Sequence, residues 1–230
     1  MDIEAFGPGP VTVRFSDPRS GEADVRYVRE RLVAVRDGAP AELDIMCPPP
    51  TAAFGARDAL LSGYADACTA VEALGFSPML RPVGGHLAVY DEAALVVHLT
   101  APHRAAGDFI TARFKAFASV LVSSLRVFGV DARVGAVPGE YCEGAFSVNR
   151  SGRVKLAGTG QRVARGGYAF SAVVSVCDSG SVRRALEIGY AALGLDLRPE
   201  TVGCVADASP GVTVDDVRRE IVAALGRVLR

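Results

Sequence analysis

The sequence predicts an α+β fold, a mixed or antiparallel sheet flanked by helices, and three observations carry that prediction. Short apolar runs at 79–81, 87–90 and 94–99 are separated by Gly84-Gly85 and Asp91-Glu92, the pattern of antiparallel strands joined by tight turns. A second group of short apolar runs follows Gly129. Long helical patterns lie between and around these groups instead of alternating with single strands, which sets the chain apart from doubly wound α/β proteins.

In order, residues 1–21 hold Gly-Pro-Gly-Pro and Asp-Pro-Arg-Ser-Gly, a loop-rich lead-in with one short apolar piece at 11–15. Over 22–35, Val25, Val28, Leu32 and Val33 recur among charges, an amphipathic helix stopped by Asp37-Gly38-Ala39-Pro40. Residues 42–47 read as a short strand ended by three prolines. Ala59-Leu60-Leu61 and 64–74 read as helical, with Ala65, Cys68, Val71 and Leu74 on one face. A long helix over 108–128 carries Ile110, Phe114, Phe117, Val120, Leu121 and Leu125 at helical spacing. Strands are expected at 132–134, 145–148, 154–156 and 168–176, with a hairpin turn at 149–152. Ser179 or Ser181 is expected to cap a helix over 182–193. After a corner at Pro199-Glu200-Thr201, a last helix over 214–229 puts Val217, Ile221, Leu225 and Val228 on one face.

Half of the 230 residues are hydrophobic, enough for one sizeable core, and a single domain over 1–230 is expected. A net charge of -1 argues against nucleic acid or an anionic membrane as a partner. No apolar run reaches the roughly 18 residues of a membrane span; the longest candidate, 114–130, is broken by Lys115, three serines and Arg126. The opening MDIEAFGPGPVTVRF lacks a basic n-region and an apolar h-region, so no secretory signal is read. Cys47, Cys68, Cys142, Cys177 and Cys204 stand singly, and His86, His98 and His103 show no HxxxH spacing. A disulfide framework, a zinc site and a histidine-built metal centre are all disfavoured, and a reducing, cytoplasmic location is expected.

The chemistry concentrates in 139–167. Cys142 lies in the Gly/Pro-rich loop Val137-Pro-Gly-Glu-Tyr-Cys-Glu-Gly, away from any apolar periodic segment, while the other cysteines sit in or beside apolar runs. It reads either as a small core residue or as an accessible nucleophile. In the second case Glu140 and Glu143 oppose ionisation if they face the sulfur, and a cation must outweigh them. Basic residues are nearly all arginine; Lys115 and Lys155 are the only lysines. An ammonium and a guanidinium are not interchangeable, so Lys155 is either a solvated surface group or that cation, brought over by the 149–152 hairpin. Gly84-Gly85 and Gly158-Thr159-Gly160-Gln161 are points where backbone amides can approach a ligand, and His86 is a polar wall or a strand-end residue. No P-loop and no GxGxxG after a strand is present.

Three stretches resemble the lipoate–protein ligase and octanoyltransferase family, which shares a fold with biotin–protein ligases. Arg81-Pro-Val-Gly-Gly-His-Leu-Ala-Val-Tyr-Asp-Glu resembles its Arg-x-Ser-Gly-Gly-x-Ala-Val segment, which lines the acyl pocket. Lys155-Leu-Ala-Gly-Thr-Gly-Gln-Arg resembles its Lys-Ile-Ala-Gly-x-x-Gln segment, whose lysine contacts the acyl carbonyl region. Glu140-Tyr-Cys-Glu-Gly-Ala-Phe-Ser, with Arg165-Gly-Gly, is similar to the octanoyl-[glycine cleavage H protein] amidotransferase branch. Val83 departs from the pattern, standing where the family usually has serine or threonine. The resemblance implies a biotin/lipoate protein ligase (class II synthetase-like) catalytic domain. It implies Cys142 as acyl-thioester nucleophile, Lys155 as its cation and oxyanion partner, and Arg81, Gly84, Gly85, His86, Gly158, Thr159 and Gln161 as substrate-binding positions. Octanoyl or lipoyl would pass to a lysine of a lipoyl domain, in glycine cleavage H protein or a 2-oxoacid dehydrogenase acyltransferase subunit, from such a protein or acyl carrier protein. No cofactor is required by that route. The alternatives are an ATP- and Mg-dependent lipoate ligase, in which Cys142 is no nucleophile, and a non-catalytic lipoyl-domain-binding module.

Overall fold

The structure, a computed structural model, describes residues 3–228, so the Leu229 end of the expected last helix lies outside it. The chain opens with β1 (Val11–Phe15), α1 (Gly21–Arg36), β2 (Ala41–Met46), β3 (Thr51–Phe54) and α2 (Tyr64–Glu72). β4 (Ser77–Leu80), β5 (Ala88–Tyr90) and β6 (Ala94–Pro102) precede the long α3 (Ile110–Arg126). Then come β7 (Ala132–Val134), β8 (Val148–Arg150), β9 (Val154–Ala164), β10 (Gly167–Ser175), α4 (Gly180–Leu193) and α5 (Val214–Val228).

Two sheets result. The larger runs β1-β2-β6-β10-β9-β8-β7, antiparallel except for the parallel β1–β2 pair at its edge. The smaller has β3 in the middle, parallel to β4 and antiparallel to β5. The α+β class holds, but the expected meander over 79–99 does not. β4 and β5 never pair with each other; both use β3, and β6 joins the other sheet. β3 escapes a periodicity reading because its four residues, Thr-Ala-Ala-Phe, are buried on both faces and show no alternation.

β6 and β10 explain where the core sits. Leu95, Val97 and Leu99 point with Phe170, Ala172 and Val174 into the core under α3 and α5, while Val96 and His98 alternate to the opposite face. A second apolar cluster joins the small sheet to α2 and α4 through Phe54, Val71, Leu87 and Leu186. α5 is started by a reciprocal box in which Thr213 Oγ1 accepts from the Asp216 amide and Asp216 Oδ2 accepts from the Thr213 amide.

Two further expectations shift. The strand expected at 145–148 begins only at Val148, because the Glu140 carboxylate accepts from the Gly144 amide at 3.1 Å and Ser147 Oγ at 2.7 Å, closing 140–147 into a turn. The strand expected at 154–156 continues to Ala164, because 157–164 pair residue by residue with β10. Gly158 and Gly160 therefore lie inside a strand. Before α4, Ser179 makes no capping hydrogen bond and Ser181 Oγ turns to Asp91; Asp178 Oδ1 accepts from the Gly180 amide instead.

Candidate active site

The site forms where the two sheets meet. The Arg81 amide continues the β3–β4 ladder by donating to Phe54 O, so the guanidinium is launched from the rim of the small sheet. Beyond it the chain turns through Gly85 at φ +100. Cys142 lies in the turn between β7 and β8, with φ +43, a left-handed conformation costing a non-glycine residue roughly 1–2 kcal/mol. The surroundings hold it there. The Cys142 amide donates to Tyr190 Oη on α4 at 2.5 Å, and that hydroxyl donates to Leu87 O at 3.1 Å.

The sulfur's own donor is Arg81. Its Nη2 stands 2.9 Å from Cys142 Sγ and also donates to His86 O at 2.5 Å. Gly85 makes this approach feasible: a Cβ there would stand 2.6 Å from Cys142 Sγ and 2.8 Å from Arg81 Nη2. Lys155, expected to pair with the sulfur, is buried and directed at the backbone of the turn. Its Nζ donates to Tyr141 O at 2.9 Å and Cys142 O at 2.8 Å, and lies 3.4 Å from Glu140 Oε1. Burial pushes the Lys155 ammonium below the ordinary lysine value, while Glu140 and then Cys142 pull it back in part. Glu140 thus faces Lys155, Gly144 and Ser147, not the sulfur, and Glu143 is exposed.

A cavity of about 420 Å³ opens beside this turn. Arg81, Gly84, Gly85, Cys142, Lys155, Gly158, Thr159 and Gln161 all border it; His86 does not. Thr159 and Gln161 spend their polar groups on the fold. Thr159 Oγ1 donates to Phe146 O, and Gln161 accepts from Arg113 Nε and donates to Ile110 O on the start of α3. His86 instead pairs through Nδ1 with Asp58 Oδ1 at 2.6 Å. Farther along the cavity stand Asp24, His98 and Ser171, linked through the His98 ring by two 2.8 Å contacts. Sequence reasoning missed Asp58, Tyr190 and this trio. Only His98 left a signal, as a lone imidazole inside the apolar run 94–99.

A profile of the family described as Lipoyl protein ligase A/B catalytic domain matches residues 28–226. The chain belongs to that family. Over 146 residues it is 34% identical to Octanoyl-[GcvH]:protein N-octanoyltransferase of Exiguobacterium sibiricum, a match covering 63% of this chain and 52% of that protein. The chain thus spans about half the length of that curated relative. Among solved structures, lipoate-protein ligase A bound with ATP superposes with a TM-score of 0.72 at 19% identity, covering 96% of this chain and 85% of that one. A bipartite lipoate protein ligase of Thermoplasma acidophilum gives 0.71 at 18%, covering 96% and 84%. At these identities the likeness is one of fold. Among the described residues, no helix is long and apolar enough to cross a membrane, and no three His, Cys, Asp or Glu cluster to hold a metal ion.

Proposed function

We propose that this chain transfers an octanoyl or lipoyl group through a thioester on Cys142 to a lysine of a lipoyl domain. The observation that carries the reading is the sulfur itself. It sits in a left-handed turn at the wall of an acyl-sized cavity, with a guanidinium as donor and a glycine making room beside it. Structural cysteines have no need of such surroundings.

In this reading the sulfur attacks the acyl carbonyl, the donor's acyl C–S or C–N bond breaks, and the thiol proton passes to the departing thiol or amine. Arg81 meets the negative charge on sulfur before attack and again when the sulfur leaves. Lys155 acts one step back: its ammonium fixes the carbonyls of Tyr141 and Cys142 and so holds the nucleophile's backbone. The Cys142 amide is taken by Tyr190, so the oxyanion finds its donors elsewhere. The Arg81 guanidinium, already at the sulfur through Nη2, is the donor we assign to that role. The acyl chain would lie against Val83, Val96 and Val173. Carriers named in the comparisons, glycine cleavage H protein and E2 lipoyl domains, supply the partner chemistry: a lysine on a small folded domain. Soluble carriers suit a cytoplasmic enzyme, and this route uses no cofactor.

A ligase reading, with acyl-adenylate as the activated species, is less well supported. Where the family usually has a hydroxyl residue, Val83 turns its methyls toward Gly160, 3.4 Å from where a Cβ would stand. Intact-mass spectrometry after mixing the protein with octanoylated carrier, without ATP, separates the readings. A gain of one octanoyl group, absent from Cys142→Ser, is the expected result. Acceptor labelling only with lipoate and ATP, and no adduct, would overturn it in favour of the ligase.

A further inference from the structure

We propose that His86, oriented by the buried Asp58, is the proton acceptor for the incoming lysine amine. The inference rests on the acyl-thioester reading above. It begins from a pair that ties a buried carboxylate to a partly exposed ring. Asp58 has a fully buried side chain, yet both of its oxygens are committed. Oδ2 accepts from the Gly55 amide at 2.8 Å, and Oδ1 meets His86 Nδ1 at 2.6 Å. An imidazole fixed through Nδ1 by a carboxylate has its tautomer set and presents Nε2 as the base.

His86 Nε2 has no partner among the described residues, and the side chain is 35% exposed. The ring belongs to the loop that packs on the nucleophile. The Gly85 Cα adjoins Cys142 Sγ, and one Arg81 nitrogen bridges His86 O and that sulfur at 2.5 and 2.9 Å. The cavity wall is formed by Gly84 and Gly85 but not by His86, so the ring is outside the acyl chamber. In this proposal the acceptor approaches from that outer side while the acyl chain occupies the inner one.

The neighbouring alternatives are spoken for. Lys155 Nζ is spent on two backbone carbonyls beside Glu140, and Glu140 is bound to Gly144 and Ser147. Glu143 is exposed, and a solvated carboxylate is a much weaker base than imidazole.

The step balances as follows. The acceptor arrives as an ε-ammonium and gives one proton to His86 Nε2. The amine attacks the thioester carbonyl, forming the C–N bond. The C–S bond breaks with its electron pair on Cys142 sulfur, where Arg81 receives the charge. The second proton passes from nitrogen to sulfur, leaving the amide, the thiol and an imidazolium that discharges to water.

By microscopic reversibility, the same group protonates the leaving amine when the donor is an acylated lysine, but it has no work to do when the donor is a thioester. That asymmetry is the test. Full-length protein is loaded with octanoyl-pantetheine, the adduct on Cys142 is followed by intact mass, and a lipoyl domain bearing a free lysine is then added. In His86→Gln we expect loading at the wild-type rate and transfer to lysine slowed by about 10²-fold or more. Free imidazole should restore part of the transfer, and Asp58→Asn should slow the same step. Equal losses in loading and transfer would assign the pair a purely structural role and overturn the proposal, as would unchanged transfer. If the wild-type protein fails to load, the acyl-thioester reading falls first.

Discussion

Two groups of buried charge border the same cavity, and they are built on opposite principles. Beneath α1, Asp24 accepts from Arg19 through Oδ1 and meets His98 through Oδ2, His98 holds Ser171, and Asp44 takes Arg19 and Ser16. No oxygen of either carboxylate is left over. At the Cys142 turn, by contrast, Glu140 Oε2 and Arg81 Nε are buried without partners, and the central residue is in a left-handed conformation. A satisfied cluster rigidifies, whereas unsatisfied atoms and a strained backbone persist only where something else requires them. The contrast supports the proposal that reactivity belongs to the turn and scaffolding to the cluster at α1.

The largest expected effect breaks that contrast at its centre. Cys142→Ser should lower acyl transfer by about 10⁴-fold or more, read as loss of the octanoyl adduct and of acceptor labelling. Next comes the clamp. Lys155→Met strands a buried Glu140 carboxylate and should cost about 3–5 kcal/mol in denaturant unfolding. Adding Glu140→Gln should recover much of that loss, since the orphaned charge is what costs. A Lys155→Met loss under about 1 kcal/mol would show that the pair does not hold the turn.

Gly85→Ala separates strain from crowding. Gly85 at φ +100 and Gly75 at φ +87 should pay similar backbone penalties on substitution, but a Cβ at Gly75 meets nothing within 4 Å, while at Gly85 it meets the sulfur. Gly75→Ala should lose about 1 kcal/mol of stability, and Gly85→Ala more, since its Cβ also crowds the sulfur and Arg81 Nη2. Acylation should fall by about 10²-fold only for Gly85→Ala, measured as the rate of adduct formation.

How much of this was legible in the sequence follows from the range of the interactions. α1, α3 and α5 were readable because a helical stripe repeats within the segment itself. Cys142 stood out by its polar loop and Lys155 by rarity, both local facts. The role of Arg81 was not readable, since its contact with the sulfur spans 61 positions and exists only once β4 is set against the β7–β8 turn. Asp58 and Tyr190 lie in unremarkable stretches and gain meaning only from partners on other elements. β3 was lost for the same reason: pairing with β4 and β5, not its own pattern, makes it a strand.

The smallest expected effect tests the scaffolding side. Burial raises the Asp24 carboxyl's affinity for its proton, but His98 and Arg19 together outweigh burial and hold it below the usual carboxylate range. A carboxylate depressed in the folded state adds stability above its unfolded value and loses it as pH falls through the lower, folded value. Unfolding free energy should therefore decline on acidification in that window, and Asp24→Asn should flatten the decline while costing about 2 kcal/mol near neutrality. Since Arg19 also binds Asp44, it keeps one carboxylate in the variant, which limits the loss. An unchanged acid limb in Asp24→Asn would mean that this cluster is not a pH-dependent support for α1, and the contrast with the Cys142 turn would then rest on strain alone.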